Sequence, residues 1–380
     1  MIKLLQVSNY RSLGNDVRLP LGPFNILVGP NGAGKSNVLD VLSFVRDAML
    51  YNLPAAVTHR GGIDSVRRRS DGRPFDMKIE LDVTIKQYSA KYSFVVTGDR
   101  LAEYRVKAES AIIAHKDETA KFTRRGTEWI GPSGLHPRQD DESLVLPTLG
   151  GDQRFKALVD FLSRISIYSV FPDTLRMPQK FDPSQPMKTH GENWVSILRE
   201  SVKTPEVLED LVKGLNKLTG DIEDIRVKSA AGYLVVEFAQ PQRKKKGKRW
   251  FPADLQSDGT LRFAGILTAL LQTPPVPVIG IEEPELTVHP GAIGMLYEYL
   301  CQASDFSQVI ISTHSPLVLD VANIERDSVF VVARQNNETR VRRMNETILE
   351  PVRASLMSLG DLMINGDLQL SLFGDMVDEI

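Results

Sequence analysis

A chain of 380 residues with 42% apolar and 25% charged residues can bury a large core, and its balance is that of an ordinary water-soluble globular protein. A net charge of −2 gives no general attraction to nucleic acid, so any such contact has to come from a local patch. One cysteine, Cys301, excludes an intramolecular disulfide; MIKLLQVSNYRSLG at the amino terminus lacks a signal peptide's apolar stretch, and FAGILTALL (263–271) and VPVIGI (276–281) are too short to cross a bilayer, which together read as cytoplasmic with no membrane association.

In chain order, the first strong element is FNILV (24–28), a short buried strand, followed by GPNGAGKSN (29–37) and a segment with Val38, Leu39, Val41, Leu42, Phe44 and Val45 at helical spacing. Gly29, Gly32 and Gly34 admit backbone conformations closed to other residues, so successive N–H groups can turn inward at the positive end of the helix and hold an anion. Gly29-x4-Gly34-Lys35-Ser36 fits the phosphate loop of nucleotide triphosphatases, where the lysine reaches the β/γ-phosphates and the hydroxyl holds Mg²⁺.

Alternation then predicts strands in IELDVTI (79–85), KYSFVVTG (91–98) and AEYRVKAES (102–110), an antiparallel arrangement. Residues 111–152 are polar and rich in glycine and proline, and are expected to form loops. Helices follow in FKALVDFLSRI (155–165), NWVSILRESV (193–202) and PEVLEDLVKGLNKL (205–218), then a strand in GYLVVEFA (232–239). RKKKGKR (243–249) packs six positive charges into seven residues, a solvated loop tip or a nucleic-acid contact; no aromatics interleave to form a stacking platform.

PVIGIEEPEL (277–286) is an apolar strand ending in Glu282 and Glu283, which point to opposite sides if the strand continues through them. One carboxylate can hold Mg²⁺ and the other orient or deprotonate a water. QVIISTHSP (308–316) is a second buried strand, ending at His314, which can hydrogen-bond a γ-phosphate or its attacking water.

Taken in order, VSNYRSLG (7–14), GPNGAGKS (29–36), LQSDGTLRFAGILTALL (255–271), VIGIEEPELTVHP (278–290) and STHSP (312–316) resemble the ABC-type ATPase head of the RecF/SMC/OLD group, and in particular its stand-alone bacterial AAA/ABC predicted ATPases, which lack a TOPRIM nuclease domain. The resemblance implies an α/β P-loop NTPase of ABC type, with a mixed central sheet, an antiparallel sheet subdomain and a helical lobe. It implies one head over 1–380: an ATP-binding part with antiparallel strands (1–150), a helical lobe ending in the signature (151–272), and a Walker B and switch-histidine part with a C-terminal tail (273–380).

The same resemblance assigns Asn31, Gly32, Gly34, Lys35, Ser36 and Asn37 to ATP, Ser36 and Glu282 to Mg²⁺, Glu283 to the catalytic base, His314 to the switch histidine and Arg11 to the nucleotide phosphates. Ser257, Asp258 and Gly259 take the signature place, which binds ATP held by the opposite subunit, so a homodimer closing on ATP is implied. Read from the residues alone, SDGT is a helix cap in front of Leu261, Phe263, Ala264 and Leu267. The chain departs from the family pattern in Glu282 for the commoner aspartate, SDGT for an SGGQ-like core and His289 for the D-loop aspartate, which implies slow hydrolysis. Gln87, Gln139 and Gln153 are candidates for a Q-loop glutamine, none in a convincing context.

The expected function is an ATP-driven dimerisation switch in DNA repair or maintenance, or in anti-phage defence, passing its state to an effector or nuclease partner. The alternative, an OLD-like ATPase-nuclease, needs a further catalytic domain, for which residues 317–380 offer too little chain. A GTPase is disfavoured because NKLT (216–219) lacks the aspartate of a guanine-reading motif.

Overall fold

A computed structural model describes residues 1–368 except 71, 101, 117, 138–139, 243–246, 345, 355 and 367, and also leaves out the side chains of 346–348. The chain forms two compact units, residues 1–165 with 323–380 and residues 166–322, and has a mixed α/β architecture with several sheets.

The first unit opens with β1 (Ile2–Ser8), β2 (Val17–Pro20) and β3 (Phe24–Val28), then α1 (Lys35–Leu50), α2 (Leu53–Thr58) and α3 (Ile63–Val66). Strands β4 (Met77–Ile85), β5 (Tyr88–Thr97), β6 (Arg105–His115), β7 (Glu118–Arg125) and β8 (Glu128–Ile130) follow, and α4 (Gln153–Ser163) ends this stretch. An antiparallel sheet runs β2-β1-β4-β5-β6-β7-β8. Alternation decides its face: Ile79, Leu81, Tyr92, Phe94, Ala111 and Phe122 turn inward, with the ring of Phe94 6.5 Å from Phe44 of α1 and that of Phe122 5.5 Å from Phe155 of α4. Each fully buried phenylalanine stabilises the fold by about 1.5–3 kcal/mol.

The expectation of loops over 111–152 is wrong at its start. Residues 111–115 complete β6, and β7 and β8 lie inside the stretch. One inward position there, Arg124, is charged, which masked the apolar alternation, and Glu109 is a second charged inward position just before the stretch. Arg124, 1% exposed, donates to the carbonyls of Gly126, Ser143 and Asp140. Glu109, equally buried, accepts from the Tyr92 hydroxyl and from the N–H groups of Val145 and Leu146, and burial pushes its carboxyl above the usual range. The pair replaces hydrophobic contact with hydrogen bonds that tie residues 140–146 to the sheet.

The second unit holds β9 (Ser166–Tyr168), α5 (Pro172–Arg176), α6 (Trp194–Ser201), α7 (Pro205–Thr219), β10 (Asp224–Ala230), β11 (Tyr233–Pro241), β12 (Lys248–Pro252), α8 (Asp258–Leu271), β13 (Val278–Glu282), α9 (Ile293–Ala303), β14 (Gln308–Thr313) and α10 (Pro316–Val321). Strands β9, β13 and β14 are parallel and buried, as continuous apolar runs require. β10, β11 and β12 form a separate antiparallel sheet, of which the sequence reading recognised only β11. Helix α8 is buried along most of its length; the indole N–H of Trp194 in α6 donates to Thr268 on it at 3.0 Å. Among the described residues no helix is long and apolar enough to cross a membrane.

The chain then returns to the first unit with β15 (Ser328–Gln335), β16 (Glu338–Arg343), α11 (Glu346–Arg353) and α12 (Leu359–Ile364). β15 pairs in parallel with β3 and antiparallel with β16, through a turn at Asn336 and Asn337 (φ 49° and 63°) that suits asparagine.

Candidate functional site

In the first unit, the loop after β3 leads straight into α1, and every residue of β3 is buried. Gly34 caps α1 at φ 107°, no side chain caps the helix, and its first turn holds no acidic residue. Gly32 is also left-handed (φ 76°) and faces open space. Both conformations favour glycine, and a helix start without cap or acid presents N–H groups and positive potential to an anion. Lys35 is 6% exposed and its Nζ donates to the carbonyls of Gly29 (2.7 Å) and Pro30 (3.1 Å), which fold the cation back over the loop. Asn31 and Ser36 are exposed, whereas the Asn37 amide is spent on Ser12 at 2.6 Å. These donors fit a triphosphate, with the Ser36 hydroxyl available to a magnesium ion.

Arg11 stands apart from that loop's polar contacts. Its backbone is left-handed (φ 48°) and its Nε lies 3.0 Å from Asp40 of α1. Asp40 also receives the hydroxyl of buried Tyr10 at 2.5 Å and Arg60 at 3.0 Å. Burial, with the Asp40 charge beside it, raises the Tyr10 phenol.

In the second unit, β13 stops at Glu282 instead of continuing through both carboxylates. Glu283 is left-handed (φ 44°), and its Oε1 lies 2.8 Å from His314 Nδ1 beyond the end of β14. An ionised carboxylate accepts, so Nδ1 carries the proton and Nε2 is the nitrogen left to act on another group. Glu283 N–H donates to Ser312 at 2.9 Å, fixing the turn. Glu285, 8% exposed, accepts from Thr313 Oγ1 at 2.6 Å, and Thr313 in turn accepts from the Ser315 N–H, so the residues on both sides of His314 are held. Burial pushes the Glu285 carboxyl above its ordinary value.

Sequence reasoning missed Arg262. This α8 residue is 3% exposed and donates to the carbonyls of Glu282 (3.0 Å), Glu283 (2.9 Å) and Val170. Burial holds its guanidinium below its ordinary value, with Glu285, Glu283 and Glu282 pulling the other way. The visible signal was an arginine in an otherwise apolar helix, LRFAGILTALL. Arg262→Met should cost roughly 3 kcal/mol of unfolding free energy, because three carbonyls lose a buried donor. Urea denaturation showing wild-type stability would remove the clamp.

The signature residues are occupied within the chain itself. Ser257 caps α8, its hydroxyl accepting from the Thr260 N–H at 3.2 Å, while Asp258 pairs with Arg176. At Gly259 a Cβ would stand 2.5 Å from the Thr287 carbonyl, so only glycine allows that close pass. Exposed His289 caps the short turn before α9, with its Nδ1 accepting from the Gly291 N–H at 3.1 Å. An aspartate would serve the same cap.

Of the Q-loop candidates, Gln87 lies in the β4–β5 turn, Gln153 opens α4 and Gln139 falls outside the described residues. Of the basic run, 243–246 also fall outside them. Lys248 pairs with Asp224 at 2.8 Å, and the guanidinium of Arg249 lies over Phe251 at 4.9 Å, while Arg226 covers Trp250 at 3.7 Å. Aromatic residues therefore follow the run, in β12, without interleaving with it, and both carry arginine partners of this chain.

Residues 24–320 match the family model described as "AAA domain, putative AbiEii toxin, Type IV TA system". The chain belongs to this AAA family. Among curated proteins it is similar to the OLD nuclease of Thermus scotoductus, 28% identical over 385 residues, which include 93% of this chain. The chain spans 66% of that relative's length. The fold of this AAA member is also that of SMC heads. A Pyrococcus furiosus Smc head domain with an extended coiled coil, bound to the C-terminal domain of ScpA, superposes with a TM-score of 0.53 at 13% identity, covering 93% of this chain and 99% of that one. An SmcHead bound to the C-winged helix domain of ScpA gives 0.52 at 15%, covering 92% and 99%. By its family model the chain is thus an AAA-domain protein, and its fold is that of SMC heads.

Proposed function

We propose that this protein binds and hydrolyses MgATP and that ATP closes a homodimer. The observation that carries the reading is the start of α1, uncapped and without acids, behind a left-handed glycine loop with one buried lysine. Lys35 and the loop N–H groups would hold the phosphates, and Ser36 and Glu282 would hold magnesium, which would supply positive charge to offset that of the phosphates. Glu283 takes a proton from the attacking water, and His314 orients that carboxylate through its Nδ1 contact. Arg11 would reach the phosphates only by leaving its pairing with Asp40.

Ser257, Asp258 and Gly259 complete the ATP site of a second copy. A site shared by two copies makes the dimer depend on its ligand. The output is DNA maintenance or defence through a partner effector, a reading supported by the family description and by the similarity to an OLD nuclease. That similarity also keeps a second reading in view, an ATPase-nuclease, tested by cleavage of DNA with Mg²⁺ or Mn²⁺ present. Contact with DNA or RNA through 243–249 would show as a salt slope that flattens when the run is neutralised.

The dimer has its own test. In Glu283→Gln, rising ATP should shift the mass from monomer to dimer, with about 2.7 kcal/mol of stabilisation per site at a hundredfold ligand excess. Adding Ser257→Arg should keep ATP binding and lose the shift in light scattering and in cross-linking of residue 31 to residue 257 of a second copy. Closure that is indifferent to ATP, or that survives Ser257→Arg, sinks the signature assignment.

A further inference from the structure

Thr339 lies on β16, beyond residues 24–320 that match the family model, yet its side chain is built into the phosphate loop. It is fully buried. Its Oγ1 donates to the Ala33 carbonyl at 2.8 Å and lies 2.6 Å from Ser12 Oγ, which is 2.6 Å from the Asn37 amide nitrogen. A carbonyl can only accept, so the single Thr339 proton is committed to Ala33 and Ser12 must donate to Thr339. Ser12 in turn accepts from Asn37. The four groups form a one-way relay from the first turn of α1 back to the residue before its cap.

Backbone contacts hold both hydroxyls in place. Thr339 N–H donates to Ser12 at 2.6 Å, and Glu338 next to it pairs with Arg68 at 2.6 Å. A Cβ on Gly34 would meet Thr339 Oγ1 at 2.2 Å, so glycine, already required by φ 107°, is required again by this contact.

We infer that Thr339 is a positioning residue for nucleotide binding. In the trans peptide between Ala33 and Gly34, carbonyl and N–H point in opposite directions. Holding the Ala33 oxygen on Thr339 turns the Gly34 N–H to the other side of the loop, where a nest of donors needs it. Without the hydroxyl this peptide can rotate, and the nest must be ordered when the anion arrives. The inference rests on the ATP-binding reading above and deepens it, since the C-terminal hairpin becomes part of the phosphate site.

The test is calorimetric titration of the full chain with ATP, below its unfolding transition as checked by circular dichroism. Thr339→Val keeps the shape and removes the hydroxyl, and should weaken ATP binding about tenfold, the worth of one well-placed hydrogen bond. Thr339→Ser restores the donor and should bind within about twofold of wild type, which a loss of packing alone would not permit. Folded Thr339→Val with wild-type affinity, or failure of Thr339→Ser to recover it, overturns the inference. Should Thr339→Val not fold, Ser12→Ala is measured instead: about threefold weaker binding supports the relay and unchanged binding overturns it. Wild-type protein that binds ATP no better than Lys35→Ala fails differently, because it removes the phosphate site itself.

Discussion

Lys35→Ala should lower ATP affinity by about a hundredfold or more, because a charge-assisted contact to phosphate is worth about 3 kcal/mol or more in a partly desolvated loop. The fold should survive the change, although Lys35 Nζ donates to the Gly29 and Pro30 carbonyls. Pro30 is exposed, so water can replace the lysine at its carbonyl, and the loss is confined to the buried Gly29 contact, at about 1–3 kcal/mol. The measurement is equilibrium titration with ATP, alongside thermal unfolding of both proteins. Equal affinity in wild type and Lys35→Ala would falsify the assignment of this loop to the nucleotide.

Glu283→Gln should bind ATP within about twofold of wild type and lose turnover by roughly 10²–10⁴-fold, the usual contribution of a general base. The geometry explains why the two effects separate. The β13 strand ends at Glu282, and Glu283 turns out of the strand direction to meet His314, so the substitution keeps the shape of the turn while the side chain loses its basic oxygen. His314→Ala should retain a larger residual rate than Glu283→Gln, since it removes the group that orients the base and leaves the base itself. Steady-state phosphate release, with binding measured separately, reads both variants. Full turnover in Glu283→Gln would take that residue out of the base role.

Local order was legible where one physical signal dominated. The strand at 24–28, the glycine loop and the helix after it appear where pattern and conformation agree: five consecutive buried residues, two left-handed glycines and apolar positions at helical spacing. The helices near 155, 193 and 205 are likewise present to within a few residues. β7 was not legible, because Arg124 stands at an inward position where alternation would show an apolar residue and hydrogen bonds replace the hydrophobic signal; β10 and β12 are exposed or half-buried, with Ile225 the one buried residue between them, so little of either carries that signal.

Elements that depend on near neighbours were readable from residue order alone: a phosphate-loop spacing, two apolar strands leading to Glu282 and to His314, and a serine able to cap the helix after it. Which distant groups meet depends on the packing of the whole fold. Glu283 and His314, 31 positions apart, pair because parallel β13 and β14 end side by side; Arg262 reaches the Glu283 turn from α8; Thr339 reaches Ala33 across 306 positions. The physical reason is that spacing encodes local backbone geometry through the 3.6- and two-residue periods, whereas a buried polar group needs only some partner of suitable geometry. Nothing in its own neighbourhood says which one the fold will bring.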